Sequence, residues 1–336
     1  MKRLIYGGSP HVRASDTTRK IMLNVIIALV PASVMAVVYF GLNALFILAV
    51  SMLAAFLAEF LFLLPKMKPK QIFAQFDFSS LVTGLLVGLN MPPLKMSAWY
   101  VPVLASVFAV VVVKMLFGGT GCNIANPAIA GRIFALMSFG ALMTAKEVWL
   151  LPRIGTLSGE AAELITGATP LTEMLTNPAG SGVIPSMGYT NLDLFLGTGM
   201  AGSIGETCKA ALILGGIYLI VTGVLDFRWP LVYLLTAGLF TVALNGFNFN
   251  YFLPSVLSGG LMLGAIFMAT DYATTPDTKS GNYIYFVVLG LLTAGLRQAA
   301  KMETVSFSIL LMNLLVPLID KYIVPKPFGF KAQKEA

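Results

Sequence analysis

Apolar residues run through this chain in long blocks separated by short polar links, without the one-sided stripes of a water-soluble helix. A helix rising about 1.5 Å per residue needs roughly 20 such residues to cross about 30 Å of hydrocarbon. The blocks predict about ten membrane spans, at residues 21–40, 42–64, 79–93, 99–117, 127–145, 209–225, 230–247, 253–270, 283–300 and 304–323. Spans three and eight are short and rich in glycine, which predicts interrupted or re-entrant helices there.

Composition fixes the solvent. Of 336 residues, 57% are hydrophobic and 11% charged, against roughly a quarter charged in soluble domains. That excludes a water-soluble enzyme. The net charge of +7 does not indicate nucleic acid, because the basic residues sit in the links beside apolar spans. With the N-terminus inside, sixteen of the 22 Lys and Arg fall on the inner side, and Lys95, Lys146, Arg153, Lys209, Arg297 and Lys301 fall outside. Both termini are therefore expected in the cytoplasm. The opening residues lack the pattern of a cleaved signal peptide, so the first span is expected to be retained.

Residues 146–206 break the apolar pattern and are expected outside the cytoplasm. The resulting plan is a cytoplasmic segment at 1–20, five helices at 21–145, the loop at 146–206, five more helices at 207–323 and a cytoplasmic tail at 324–336. Five spans per half imply inverted topology. A shift of 176 residues supports a repeat, aligning Ser79 with Ser255, Leu81 with Leu257, Gly84 with Gly260 and Gly88 with Gly264. The fold class is an all-α membrane protein of two inverted five-helix repeats.

Candidate chemistry is sparse. His11 is the sole histidine, so no multi-histidine metal site is expected. Cys122 and Cys208 read as small buried thiols, too few for a disulfide framework. Gly197 to Gly202 matches G-x-G-x-x-G but lacks the strand and soluble helix of a dinucleotide site. The turn at 118–128 places Asn126 before Pro127, a helix N-cap with proline at the first position. Arg132, one turn further on, must face protein, water or an anion. Ser203 and Glu206 have capping-box spacing at the start of span six, with a cation or proton path as the alternative role of Glu206. Among Glu59, Lys114, Lys209, Asp271 and Arg297, most lie near a span end and are expected to snorkel. Asp271 ends span eight and either caps a broken helix or lines an ion path. In the outer loop, Thr166-Gly167-Ala168-Thr169-Pro170 reads as a small-residue turn, with Pro170 holding Thr169 extended.

That turn resembles the (Ser/Thr)-Gly-Ala-Thr flavinylation motif, whose last threonine, here Thr169, takes FMN as a phosphoester. Ser9-Pro10-His11, the Gly-Gly-x-Gly-x-Asn-x-x-Asn-Pro-Ala turn at 118–128, Gly202 to Thr207 and Phe267 to Asp271 look like the same family. It is the RnfD family of the Rnf ion-translocating electron transport complexes, similar to the NqrB component of the Na+-translocating NADH:quinone reductase. The latter usually has a longer N-terminal extension, so RnfD is the closer fit. Thr166 stands where serine is more usual, Glu163 where Asp is common, and Thr172 and Thr176 are nearby competing hydroxyls.

The resemblance implies a membrane subunit of a ferredoxin:NAD+ oxidoreductase in a bacterial or archaeal plasma membrane, passing electrons through covalent FMN on Thr169 and coupled to Na+ or H+ movement. It implies Thr166, Gly167 and Ala168 as the flavin-binding context, a riboflavin within the helices, a flavin transferase, and neighbouring Rnf subunits including a second flavinylated one. The five-plus-five topology alone equally suggests a small-solute channel or carrier.

Overall fold

The computed structural model describes residues 17–144, 169–176, 190–198 and 200–324. Among the described residues the chain is helical throughout. Helices α1 (Thr18–Phe40) and α2 (Leu42–Leu63) are long and apolar enough to cross a membrane. So are the run Met96–Met115, helix α14 (Lys279–Ala300) and helix α15 (Val305–Tyr322). Met96–Met115 comprises a 3-10 turn, helix α5 (Tyr100–Val107) and a π-helical stretch over Phe108–Met115.

Two further pairs are sharply bent. Helix α3 (Pro69–Gln75) meets α4 (Ser79–Leu89) at 71°. The run Phe249–Leu257, which contains α12 (Phe252–Leu257), meets α13 (Leu261–Leu263) and its π-helical continuation Gly264–Met268 at 69°. The interruption expected in span eight is present at 258–260, whereas the first break, at 76–78, lies just ahead of span three, whose helix α4 is unbroken. Their register differs from the 176-residue alignment, because Ser79 opens α4 after the first break whereas Ser255 lies in α12 before the second.

Three apolar helices are shorter: α6 (Pro127–Ser138), α10 (Lys209–Val221) and α11 (Arg228–Leu244). Span five ends early because Phe139 leaves helical geometry, at φ −124° and ψ 33°, before the single turn α7 (Gly140–Met143). Two small helices, α8 (Pro170–Thr176) and α9 (Asn191–Leu196), come from the long polar stretch.

Packing follows side-chain size. On α1, Leu23, Ile27, Val30, Val34 and Val38 form an exposed apolar stripe, the face suited to lipid, while Ala28, Leu29, Ala32 and Ala36 are buried. Small residues inward let backbones approach closely. Thus α1 packs on α10, α2 on α4, α6 on α15 and α11 on α14. At the α1–α10 contact a Cβ on Gly215 would run into the Ala28 carbonyl. Gly215→Val is expected to cost more than the ~1–3 kcal/mol usual for overpacking, because backbone must move. Thermal denaturation of the detergent-solubilised protein checks this against Leu214→Ala at an exposed neighbouring position, which should be nearly silent.

Candidate functional site

A helix that stops inside a membrane protein must have its end groups satisfied by protein. At the first break Phe78 takes a left-handed conformation, φ 66°, and Arg19 lies 5.0 Å over its ring. Asp77 accepts from the Ser79 N–H at 3.0 Å and from the Thr120 hydroxyl at 2.7 Å. Lys114, from the π-helical stretch, donates to Ser79 Oγ and to Glu59 Oε1, the latter at 2.9 Å. Lys114 and Glu59 are both buried, and Glu59 Oε2 finds no partner among the described residues.

The other end of α4 is closed from far along the chain. Ile204 N–H donates to the Met91 carbonyl at 3.0 Å, and Gly205 N–H to the Leu89 carbonyl at 2.8 Å. A Cβ on Gly205 would lie 2.6 Å from Leu89 Cβ, so a glycine is required there. Glu206 Oε1 accepts from the Ser203 N–H at 2.9 Å, as the capping-box spacing implied. The helix itself starts later, at Lys209, because Ile204–Glu206 forms a turn against α4.

The second break is closed by one ion pair. Arg297, at the end of α14, donates to the Ser255 and Ser258 carbonyls at 2.9 and 3.2 Å and pairs with Glu303 at 2.9 Å. Glu303 accepts from the Gly260 N–H at 3.0 Å. The carbonyls before the break and the amide after it are thereby both satisfied.

Between the breaks runs a thread of amides. Asn126 caps α6 by accepting from Ala128 and Ile129 N–H, with Pro127 at the first position as expected. Its Nδ2 donates to the Met268 carbonyl at 3.0 Å, and its N–H to Asn313 Oδ1 at 3.1 Å. Asn90 Nδ2 faces Met268 Sδ at 3.6 Å, and Asn90 Oδ1 accepts from Arg132 Nη1 at 2.8 Å. A Cβ on Gly260 would meet Glu206 Oε2 at 3.0 Å and Arg132 Nη1 at 3.5 Å, so these groups converge on one backbone site. Glu206 Oε2 is buried with no partner among the described residues. At the far end of the thread Asn123 Nδ2 lies 3.5 Å from Asp271 Oδ2. Glu206 and Asp271 are thus in separate clusters, with the Arg132–Asn90–Met268–Asn126 contacts lying between them. A cavity of about 460 Å³ opens beside the Asp271 cluster, lined by Asn123, Asn126, Thr120, Lys114 and apolar Val25, Leu86, Ile266 and Phe267.

The Thr169 region lies at the opposite end of the bundle from Thr18. Leu171, Met174 and Leu175 of α8 are buried against Tyr251, beside α12. Thr169 is half-buried ahead of α8, and its Oγ1 lies 2.8 Å from Thr172 Oγ1. Thr166, Gly167 and Ala168 lie outside the described residues. Nearby, α9 opens on a capping box between Thr190 and Asp193 and ends on Gly197 in left-handed geometry. Hydrogen bonds from Thr190 and Thr198 hold the Asp193 carboxyl below its usual range. Tyr39, in the last turn of α1, donates to the Leu196 carbonyl at 2.7 Å.

Several expectations change. Lys114, Lys209 and Arg297 do not snorkel: they are buried and paired, Lys209 with the Glu206 carbonyl. Cys122 is exposed on the glycine turn and only Cys208 is buried; both are free. Arg132 does face protein. Asn90, Asn313 and Glu303 were not singled out from sequence, although Asn90 closes a glycine-rich apolar run and Glu303 interrupts the short link before span ten.

These features define a multi-pass helical membrane protein with two broken helices meeting at a polar centre. The chain belongs to the NQR2, RnfD, RnfE family, whose model it matches over residues 5–329. It is similar to the D subunit of the Na(+)-translocating ferredoxin:NAD(+) oxidoreductase complex of Acetobacterium woodii, 40% identical over 336 residues covering 99% of this chain and 98% of the relative. It is also similar to the proton-translocating counterpart of Clostridium ljungdahlii, 36% identical with 96% and 95% covered. The D subunit of the ion-translocating oxidoreductase complex of Stutzerimonas stutzeri is 33% identical, with 94% and 93% covered.

Proposed function

We propose that this protein is the D subunit of an ion-translocating ferredoxin:NAD+ oxidoreductase, carrying electrons through FMN esterified to Thr169. The observation that carries the reading is the acceptor itself: the last threonine of Thr-Gly-Ala-Thr stands half-buried on a segment whose apolar side is docked, leaving a hydroxyl within reach of a transferase. The 36–40% identity to the Acetobacterium and Clostridium subunits over nearly the whole chain supports the assembly, with the other Rnf subunits as partners; the motif resemblance adds a second flavinylated subunit among them.

Covalent FMN would supply one- and two-electron chemistry, and the protein would supply position. Charge asymmetry supports cytoplasmic termini in a bacterial or archaeal plasma membrane, which puts Thr169 outside the cytoplasm. The cavity suits a noncovalent riboflavin: its volume lies in the range of cofactor pockets, and it combines apolar walls with the Asn123 and Asn126 amides. An inverted repeat is supported by the placing of one cation, Lys114 or Arg297, in the span after each bent pair.

The thread from Asp271 to Glu206 is the proposed path for Na+ or H+. Glu206→Gln and Asp271→Asn are each expected to lower ion uptake per electron in reconstituted complex while leaving flavin content intact. Normal uptake in both would remove the thread from consideration.

The function is tested by running the protein on a denaturing gel, imaging flavin fluorescence and mapping the labelled peptide by mass spectrometry. Fluorescence surviving denaturation on the Thr169 peptide is expected. An unlabelled protein from a host with active transferase would overturn the reading.

A further inference from the structure

The Thr169 hydroxyl has company. Thr172, on the next turn, brings its Oγ1 to 2.8 Å from Thr169 Oγ1, and its backbone N–H points to the same oxygen at 3.3 Å. Beneath them Leu171, Met174 and Leu175 hold the turn against Tyr251. Apolar packing fixes the backbone, and the two hydroxyls fix each other.

We infer that Thr172 is a positioning residue for flavin attachment: its hydroxyl and N–H orient Thr169 Oγ1, and its hydroxyl remains the hydrogen-bond donor to that oxygen afterwards. The inference rests on the proposed reading of Thr169 as the acceptor. A hydroxyl has one proton to donate and two lone pairs to accept. When the Thr172 N–H and O–H both donate to Thr169 Oγ1, its own proton is turned away from the pair, toward an incoming base. In attachment, Thr169 Oγ1 forms a bond to the phosphorus of FMN presented as an anhydride, a flavin dinucleotide. The anhydride P–O bond breaks, the departing nucleotide keeps the electron pair, and the Thr169 proton goes to a base on the transferase. The esterified oxygen has no proton left, so within this pair only Thr172 can donate.

Thr172 therefore ceases to be a competing acceptor. With its proton given to Thr169 Oγ1, 2.8 Å away, the Thr172 hydroxyl serves as donor in this pair and Thr169 as acceptor of the flavin.

The test follows labelling of the intact complex in native membranes over time after transferase induction, as gel fluorescence per mole of protein. Thr172→Val keeps the shape and removes the hydroxyl, and Thr172→Ser keeps the hydroxyl and removes the methyl. Valine is expected to slow labelling about tenfold at saturating flavin donor, the rate equivalent of one hydrogen bond lost. The donor concentration at half-maximal rate should stay unchanged, and serine should restore the wild-type rate. Normal labelling in the valine variant would overturn the inference, and so would equal slowing by serine and valine, which would mean packing alone matters. A wild-type complex without covalent flavin would instead remove the functional reading and this inference with it.

Discussion

Thr169→Ala is expected to leave the protein in the membrane, abolish its covalent flavin and lower ferredoxin-to-NAD+ electron flux at least about a hundredfold. Alanine removes one hydroxyl from a segment whose placement comes from Leu171, Met174 and Leu175 against Tyr251, so α8 should dock as before. Loss of flux then reports the missing carrier and not a misfolded chain. Thr169→Ser keeps an acceptor oxygen and should retain both flavin and flux. Peptide mapping of the alanine variant should find no flavin moved to Thr172 or Thr176. Retained flux in an unlabelled alanine variant would show that electrons bypass this position, and the carrier reading would fail even with the family assignment intact.

The second large effect is expected at the other end of the bundle. Lys114→Met strands the Glu59 carboxylate in a buried site where one of its oxygens already lacks a partner among the described residues. Removing one member of a buried ion pair costs about 3–5 kcal/mol, because the remaining charge is neither solvated nor compensated. The loss extends to the first break, since Lys114 also donates to Ser79 at the start of α4. Thermal unfolding of the purified complex should show a marked fall in midpoint, with much of it recovered in Glu59→Gln/Lys114→Met, where no charge remains. A single variant as stable as wild type would mean that Glu59 is neutral or reaches water by another route.

The contrast between these sites shows what the sequence could convey. Features made by neighbouring residues were legible: the helix start at Asn126-Pro127, the apolar runs, the glycine-rich break at 258–260 and the Glu206 contact with Ser203 each depend on chemistry within a few positions. Features made by distant residues were not. Lys114 and Arg297 look like snorkelling cations because each lies near a span end, yet each finds its carboxylate in another segment or across a turn. Asn90 acquires its role only when Arg132 and Met268 are brought to it. The repeat register failed for a related reason: in an apolar alphabet a glycine match is cheap, and the bends are set by who caps the broken ends. The Thr169 acceptor was invisible to periodicity and became legible only through its resemblance to a known motif.

The closing of α4 bears on how the chain is made. The Leu89 carbonyl at the end of the helix and the Met91 carbonyl just beyond are satisfied by Gly205 and Ile204, which leave the ribosome only after the first five apolar segments and the long polar stretch. Until then those carbonyls lack their final partners, and the early segments must wait in a provisional arrangement sheltered from lipid. The second break is self-sufficient by comparison, because Arg297 and Glu303 follow it closely in the chain. Biogenesis is therefore expected to be asymmetric: each bend can be closed from its own half, but the far end of α4 matures only when Ile204 and Gly205 arrive, so an amino-terminal fragment should be held by insertion factors or degraded.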